Sequence, residues 1–138
     1  MKRVNHNPHI LLVDDDAVDR ELFIEGMNET GISYTIAEAA HGEEALQYLK
    51  DSTKSPSLII LDLNMPVKDG RETLRAIKDG PHRNIPVFIL STSNAPLDVT
   101  ESYNSGANLF LVKPHDFRDI VEMMKCLFTV IGKYATFN

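Results

Sequence analysis

A short apolar segment that ends in an aspartate constrains this chain most. Leu58 to Leu61 are four consecutive apolar residues, and Asp62 follows them directly. A continuous apolar run of this length is typical of a strand that is buried on both faces of a parallel sheet. The residues after it include Asn64, Pro66 and Gly70, which favour a loop. Asp62 is therefore predicted at the carboxyl end of a central strand, where open α/β sheets place their ligand sites.

The rest of the chain repeats this alternation of apolar runs and helical patterns. Three further apolar runs and one weakly alternating segment are predicted strands: Ile10 to Val13, Ser33 to Ala40, Val87 to Leu90, and Leu109 to Val112. The predicted helices begin near Asp16, Glu43, Arg71, Pro96 and Asp116. Five strands that alternate with five helices predict a three-layer, doubly wound α/β fold with a parallel five-stranded sheet and right-handed crossovers.

Length and composition narrow the class of protein. A chain of 138 residues fits one domain, which we place at residues 1–138 with a core of about residues 9–131. The net charge of -6 disfavours a nucleic-acid partner, and no apolar stretch approaches the roughly 20 residues of a membrane span. The N-terminus lacks the apolar core of a signal peptide, and the single Cys126 suits a reducing compartment. We expect a cytoplasmic protein with neither nucleic acid nor membrane as a partner.

Chemically capable side chains follow four of the apolar runs. They are the acids Asp14 to Asp16, the acid Asp62, the hydroxyls Ser91 to Ser93, and the amine of Lys113. The carboxyl ends of parallel strands lie at one edge of a sheet, so these groups should converge. Clustered carboxylates repel and favour a bound cation, and an all-oxygen site suits Mg²⁺. Such a site would let Asp62 attack a phosphoryl group while the lysine and a hydroxyl bind its oxygens.

These motifs, taken together and in order, resemble the receiver domain of two-component response regulators. LLVDDD resembles the family's acid pair, ILDLNMPVKDG its phosphoacceptor segment, ILST its switch hydroxyl and LVKP its lysine-proline pair. The resemblance extends from about Ile10 to Ile131. It implies a flavodoxin-like, or CheY-like, sheet with the strand order 2-1-3-4-5.

The resemblance also implies a role for each acid at the predicted site. Asp62 would be the phosphoacceptor. Asp15 would be a direct Mg²⁺ ligand, Asp14 would act largely through water, and the backbone carbonyl of Asn64 would complete the metal site. The phosphoryl group would come from a sensor histidine kinase or a histidine phosphotransfer protein. Such a protein assists its own phosphorylation and dephosphorylation but is not a turnover enzyme.

Three further positions follow from the same resemblance. Ser91 would be the switch hydroxyl, and Lys113 would bind the phosphoryl group. The aromatic switch residue, often Tyr in the family, is Phe110 here, which has no hydroxyl to hold either rotamer. A cis peptide bond before Pro114 is implied as well. Phosphorylation would then change the face made by the fourth helix, the fifth strand and the fifth helix, which binds a downstream protein target.

Within the family, the chain is most similar to stand-alone regulators associated with bacterial phytochromes. The segment from Ser102 to Asn108 carries part of this similarity. Regulators of that group often form homodimers through the last helix and strand. The apolar residues near the C-terminus could make such a dimer contact or merely cap the core; they are Phe128, Val130, Tyr134 and Phe137.

Three other functions compete with this interpretation. Asp14 to Val18 also resembles the nucleophile motif of haloacid-dehalogenase-type phosphohydrolases, with Asp14 as the nucleophile, Asp16 as the general acid/base, and Ser91 and Lys113 in support. That hypothesis leaves Asp62 without a role. Flavin binding is disfavoured because the three acids would repel a phosphate. A receiver-like docking module that is never phosphorylated would be expected to have lost one of the key positions, and none is lost.

Overall fold

Five parallel strands alternate with five helices in the computed structural model, which describes residues 7–65 and 69–136. The strands are β1 (His9–Val13), β2 (Thr35–Ala39), β3 (Leu58–Asp62), β4 (Val87–Ser91) and β5 (Leu109–Val112). The helices are α1 (Ala17–Asn28), α2 (Gly42–Asp51), α3 (Gly70–Asp79), α4 (Pro96–Asn104) and α5 (Phe117–Tyr134). The strand order is β2-β1-β3-β4-β5, which confirms the predicted doubly wound α/β fold.

The core forms two layers, one on each face of the sheet. Successive residues of a strand point to opposite faces. Leu11 and Ile59 therefore pack with residues of α2 and α3, whereas Ile10 and Ile60 pack with residues of α1 and α5. Every side chain of β1 and β3 is buried because helices cover both faces. This double coverage explains the uninterrupted apolar runs in the sequence.

The strand register brings the ends of the strands to one edge. Val13 is paired with Leu61, and Ser91 is paired with Val112. Asp14 and Lys113 are the next residues along β1 and β5, and Asp62 closes β3. The predicted convergence of these side chains is therefore a direct consequence of the parallel register.

The helices begin close to the predicted positions, and local signals in the sequence explain several of their ends. The side chain of Asp16 accepts hydrogen bonds from the backbone of Val18 and Asp19 in the first turn of α1 and so caps this helix. Gly31 and Gly106, which follow α1 and α4, have positive φ angles of 72° and 103° that suit glycine. The second helix begins at Gly42, one residue before the prediction, because the Nδ1 atom of His41 accepts from the N–H of Glu44.

Four expectations need correction or fall outside the described residues. Phe128 is 1% exposed and packs in the core, so the suggestion that it contributes to a dimer contact is wrong. No peptide bond among the described residues is cis, so the bond before Pro114 is trans. Pro66, expected in the loop after β3, and Phe137, suggested for a dimer contact, lie outside the described residues. Within the same described part, none of the helices has the length and apolar character that a membrane crossing requires.

Candidate functional site

Three acids form a cluster at the carboxyl edge of the sheet. Asp14 follows β1 directly, Asp62 is the last residue of β3, and Asp15 lies on the rim. Each offers a carboxylate oxygen, and these oxygens all lie within 4.8 Å of one another. Asp14 and Asp62 are buried, whereas Asp15 is exposed. Two buried acids beside an exposed one leave the cluster open to solvent on one side, as a metal ion that keeps several waters requires.

Backbone N–H groups hold the two buried carboxylates in place. The N–H of Asp16 donates to Oδ1 of Asp14 over 2.9 Å, and the N–H of Asn64 donates to Oδ1 of Asp62 over 3.1 Å. In both cases the donor lies two residues after the acid, in the loop that leaves the strand. The remaining oxygen of each carboxylate, Oδ2, faces Lys113.

The amine of Lys113 contacts three carboxylates. Its Nζ atom lies 3.0 Å from Oδ2 of Asp14, 3.0 Å from Oδ2 of Asp19 and 3.8 Å from Oδ2 of Asp62. The side chain of Lys113 is only 8% exposed, so these contacts replace most of its hydration. Asp19 was not among the predicted site residues. The signal that could have found it is its place in the first turn of α1, a helix that starts at the acidic edge.

Burial and mutual charge shift the pKa values of these groups. Burial, reinforced by the nearby charge of Asp14, raises the pKa of Asp62 to about 6. Burial also raises the pKa of Asp14, although the N–H of Asp16 and the Lys113 amine oppose the shift. Burial alone would lower the pKa of Lys113, but Asp14 and Asp62 outweigh it and the pKa is raised. The site therefore holds an ammonium beside a carboxylate whose ionisation is less favourable than that of an ordinary aspartate.

The predicted switch hydroxyl lies in the interior, at the end of β4 next to the strand that carries Asp62. Ser91 is fully buried, and its Oγ atom accepts from the N–H of Ser93 over 3.1 Å. The amide Nδ2 of Asn64 reaches toward it, at 3.5 Å from Oγ of Ser91 and 3.0 Å from Oγ1 of Thr92. Asn64 therefore bridges the loops after β3 and β4.

Phe110 lies in β5, away from the acids. Its ring is partly buried against the layer of core that α2 and α3 cover. Its backbone N–H donates to the hydroxyl of Tyr103 in α4 over 3.0 Å, which ties the helix to the edge strand. The structure thus brings together Asp14, Asp15, Asp62 and Lys113, places Ser91 and Asn64 at their side, and leaves Phe110 at a distance in the sheet.

Comparison with known proteins agrees with this geometry. The family model described as "Response regulator receiver domain" matches residues 10–125. The curated "Response regulator Rcp1" of Synechocystis sp. is 36% identical over 122 residues, which span 84% of this chain and 83% of that protein.

Two solved structures are similar over nearly the whole chain. The Mn²⁺-bound form of response regulator Rcp1 has a TM-score of 0.88 at 33% identity and covers 95% of this chain and 99% of that one. The phosphorylated cyanobacterial phytochrome response regulator RcpA also has a TM-score of 0.88, at 32% identity, and covers 95% of this chain and 98% of that one. The predicted similarity to phytochrome-associated regulators is therefore confirmed. The protein belongs to the response regulator receiver domain family of two-component signalling.

Proposed function

We propose that Asp62 accepts a phosphoryl group from a phosphohistidine of a sensor histidine kinase or a histidine phosphotransfer protein. The observation that carries the proposal is the combination at Asp62 of two further acids within 4.8 Å and an ammonium 3.8 Å away. Asp62 attacks the phosphorus atom, an oxygen–phosphorus bond forms, and the phosphorus–nitrogen bond to the imidazole breaks. The leaving imidazole nitrogen takes up a proton.

Two side chains of this protein stabilise the negative charge of the phosphoryl group that is transferred to Asp62. The Lys113 ammonium, 3.8 Å from Oδ2 of Asp62, binds the oxygens of the transferred group, and the hydroxyl of Ser91 donates to one of them, because its contact with Ser93 uses the oxygen only as an acceptor. Both side chains are buried, so their interaction with a charged group is weakly screened by water.

The donor set of the acid cluster fits Mg²⁺. We propose that Asp15 and Asp62 bind the ion directly, that Asp14 acts largely through water, and that the backbone carbonyl of Asn64 is a further ligand. Hard divalent cations prefer oxygen ligands such as these, and the exposed side of the cluster leaves room for water. When bound, the ion neutralises like charge between Asp62 and the phosphoryl donor. The similarity to a Mn²⁺-bound form of Rcp1 supports the binding of a divalent ion by this chain.

The proposed output is a change in a protein-binding face. Ser91 moves toward the phosphoryl group and Phe110 repacks, which shifts the population of two packings of α4, β5 and α5. These three elements carry exposed apolar side chains, namely Leu97, Tyr103, Val112, Phe117, Val130 and Tyr134. A downstream protein or a second copy of the chain would cover them. We also propose that the protein is not a turnover enzyme and that it acts in the cytoplasm, where its exposed Cys126 would remain reduced.

Intact mass after incubation with acetyl phosphate tests the phosphoacceptor. We expect one added phosphoryl group that requires Mg²⁺ and is absent from Asp62→Asn. Asp16→Asn is the matched control, because an asparagine preserves the helix cap while removing a neighbouring charge. Steady consumption of acetyl phosphate without an adduct, abolished by Asp14→Asn, would instead support the phosphohydrolase. If the protein neither gains a phosphoryl group nor consumes acetyl phosphate, it would be a docking module.

Light scattering after size exclusion tests the proposed homodimer. Tyr134 is 72% exposed and Val112 is 46% exposed, so a lysine at either position is tolerated by the monomer. We expect Tyr134→Lys and Val112→Lys to reduce the dimer fraction of the phosphorylated protein. Glu21→Lys, on the exposed side of α1, is the control. A wild-type protein that stays monomeric at high micromolar concentration, phosphorylated or not, would contradict the dimer.

A further inference from the structure

The amine of Lys113 is held from two directions. Asp14 contacts it from the end of β1, and Asp19 contacts it from the first turn of α1, each over 3.0 Å. Asp62, the proposed phosphoacceptor, is farther away at 3.8 Å, beyond ordinary hydrogen-bond distance. Asp19 of α1 therefore contacts Lys113 more closely than Asp62 does, although Asp62 is the proposed phosphoacceptor.

Helix α1 presents two adjacent side chains to the lysine. Asp19 and Phe23 are four residues apart, so they lie on the same face of the helix. The ring of Phe23 is fully buried, and the Lys113 Nζ atom lies 5.8 Å from its centre, within cation–π range. The carboxylate of Asp19 is only 14% exposed. Together, Asp19 and Phe23 form a binding site for the ammonium that is largely shielded from water.

A phosphoryl group on Asp62 would have to attract the ammonium away from Asp19 and Phe23. An ammonium has three N–H donors, and two of them are directed to Asp14 and Asp19. The charge-assisted contact with Asp19 is among the strong hydrogen bonds of a protein. The third donor is available to a phosphoryl oxygen, but Nζ lies 3.8 Å from Asp62, and a movement of the ammonium toward that residue lengthens its 3.0 Å contact with Asp19.

We propose that Asp19 is a positioning residue that competes with the phosphoryl group for Lys113. This inference rests on the proposed function, in which Lys113 binds the phosphoryl oxygens. Asp19 holds the ammonium at the edge of the acid cluster in the resting protein and so lowers the affinity of the site for a phosphoryl group. Asp14 contacts the same ammonium at the same distance but also belongs to the proposed metal site, so Asp19 is the residue at which the competition can be tested separately.

Titration with beryllium fluoride at saturating Mg²⁺ tests the proposal, since its fluorine atoms take the places of phosphoryl oxygens. Asp19→Asn keeps the shape and removes the charge, and we expect it to bind about fivefold more tightly than the wild type, in the range of the net contribution of one typical hydrogen bond. Asp19→Glu retains the charge and should stay close to the wild type. Glu21→Gln makes the same net charge change on the exposed side of α1 and should have no effect.

A metal-free measurement separates competition for Lys113 from general charge repulsion. The ammonium signal of Lys113 in ¹⁵N-resolved spectra should show slow proton exchange in the wild type and faster exchange in Asp19→Asn. Tighter binding of beryllium fluoride with an unchanged Lys113 signal would overturn the proposal, because the charge would then act without the lysine.

Two other outcomes would also overturn it. Unchanged or weaker beryllium fluoride binding by Asp19→Asn would show that Asp19 only stabilises the start of α1. If that variant does not fold, Asp19→Ala, with a good helix former, takes its place and is judged by the same outcomes. A wild type that binds no beryllium fluoride would refute the proposed function itself, which keeps the two failures apart.

Discussion

Asp14 and Asp62 lie side by side, one residue beyond the paired positions Val13 and Leu61 of β1 and β3. Asp14 is fully buried and Asp62 is 3% exposed, so two carboxylates share a volume with little water. The field of each disfavours ionisation of the other. A divalent cation, the Lys113 ammonium or a proton can relieve this repulsion.

Asp15 should carry more of the metal affinity than its neighbour Asp16. Asp15 belongs to the acid cluster, whereas the carboxylate of Asp16 is engaged as the cap of α1. We expect Asp15→Asn to weaken Mg²⁺ binding by about tenfold or more, since loss of a ligand or its support typically costs that much. Asp16→Asn should leave the affinity unchanged. Calorimetric titration of both variants gives the answer, and equal losses would contradict the assignment of Asp15 as a ligand.

The raised pKa of Asp62 should make the metal-free protein less stable as the pH rises. The folded pKa is about 6 against an ordinary value of 3.8, so between these values the folded state binds more protons than the unfolded state. The free energy of unfolding therefore falls as the pH increases from about 4 to about 6.

Replacement of the Asp62 carboxylate should remove this loss of stability at higher pH. A shift of about two pKa units corresponds to about 3 kcal/mol, and the lost attraction to Lys113 reduces the gain. We expect Asp62→Asn to raise the free energy of unfolding at pH 7.5 by about 1–3 kcal/mol in urea titrations without metal, with no gain near pH 4. Asp79→Asn, at the exposed end of α3, is the matched control. A variant that is less stable than the wild type at pH 7.5 would contradict the repulsion.

Ser91 should couple the site to β5. Its hydroxyl accepts from the N–H of Ser93 at rest and is fully buried, so no water can replace it. We expect Ser91→Ala to reduce the amide shifts that beryllium fluoride and Mg²⁺ induce at Phe110 and in α4, measured by NMR. Ser55→Ala removes an exposed hydroxyl in the loop before β3 and should leave these shifts as in the wild type. Amide shifts in Ser91→Ala as large as those in the wild type would show that Ser91 does not take part in the switch.

Gly70 should tolerate no larger side chain. A Cβ atom there would collide with the carbonyl oxygen of Asp62 and lie 2.6 Å from Cα of Leu63, both backbone atoms. We expect Gly70→Ala to lower the free energy of unfolding by about 1–3 kcal/mol through overpacking, and to weaken Mg²⁺ binding because α3 presses on the loop after Asp62. Gly31→Asn, in open space at a positive φ that asparagine accepts, is the control for denaturant titrations. Equal stability of the two variants would refute the close approach.

Local sequence patterns were enough to predict the fold and the composition of the acid cluster. Apolar runs that end at Val13 and Leu61 predict strands buried on both faces, and period and spacing are local properties that a chain carries without its tertiary structure. Because parallel strands share one carboxyl edge, the side chains that follow them had to converge there. Asp14, Asp62 and Lys113 were predictable for this reason.

Contacts between distant elements depended instead on how the helices pack. Asp19 reaches Lys113 across 94 residues of sequence because α1 packs beside α5 on the same face of the sheet. Phe128 had two possible roles in the sequence, a dimer contact or a cap on the core, and it is buried because α5 turns that side chain toward the sheet. Such outcomes follow from the angle and extent of helix packing, which no local pattern in the sequence encodes.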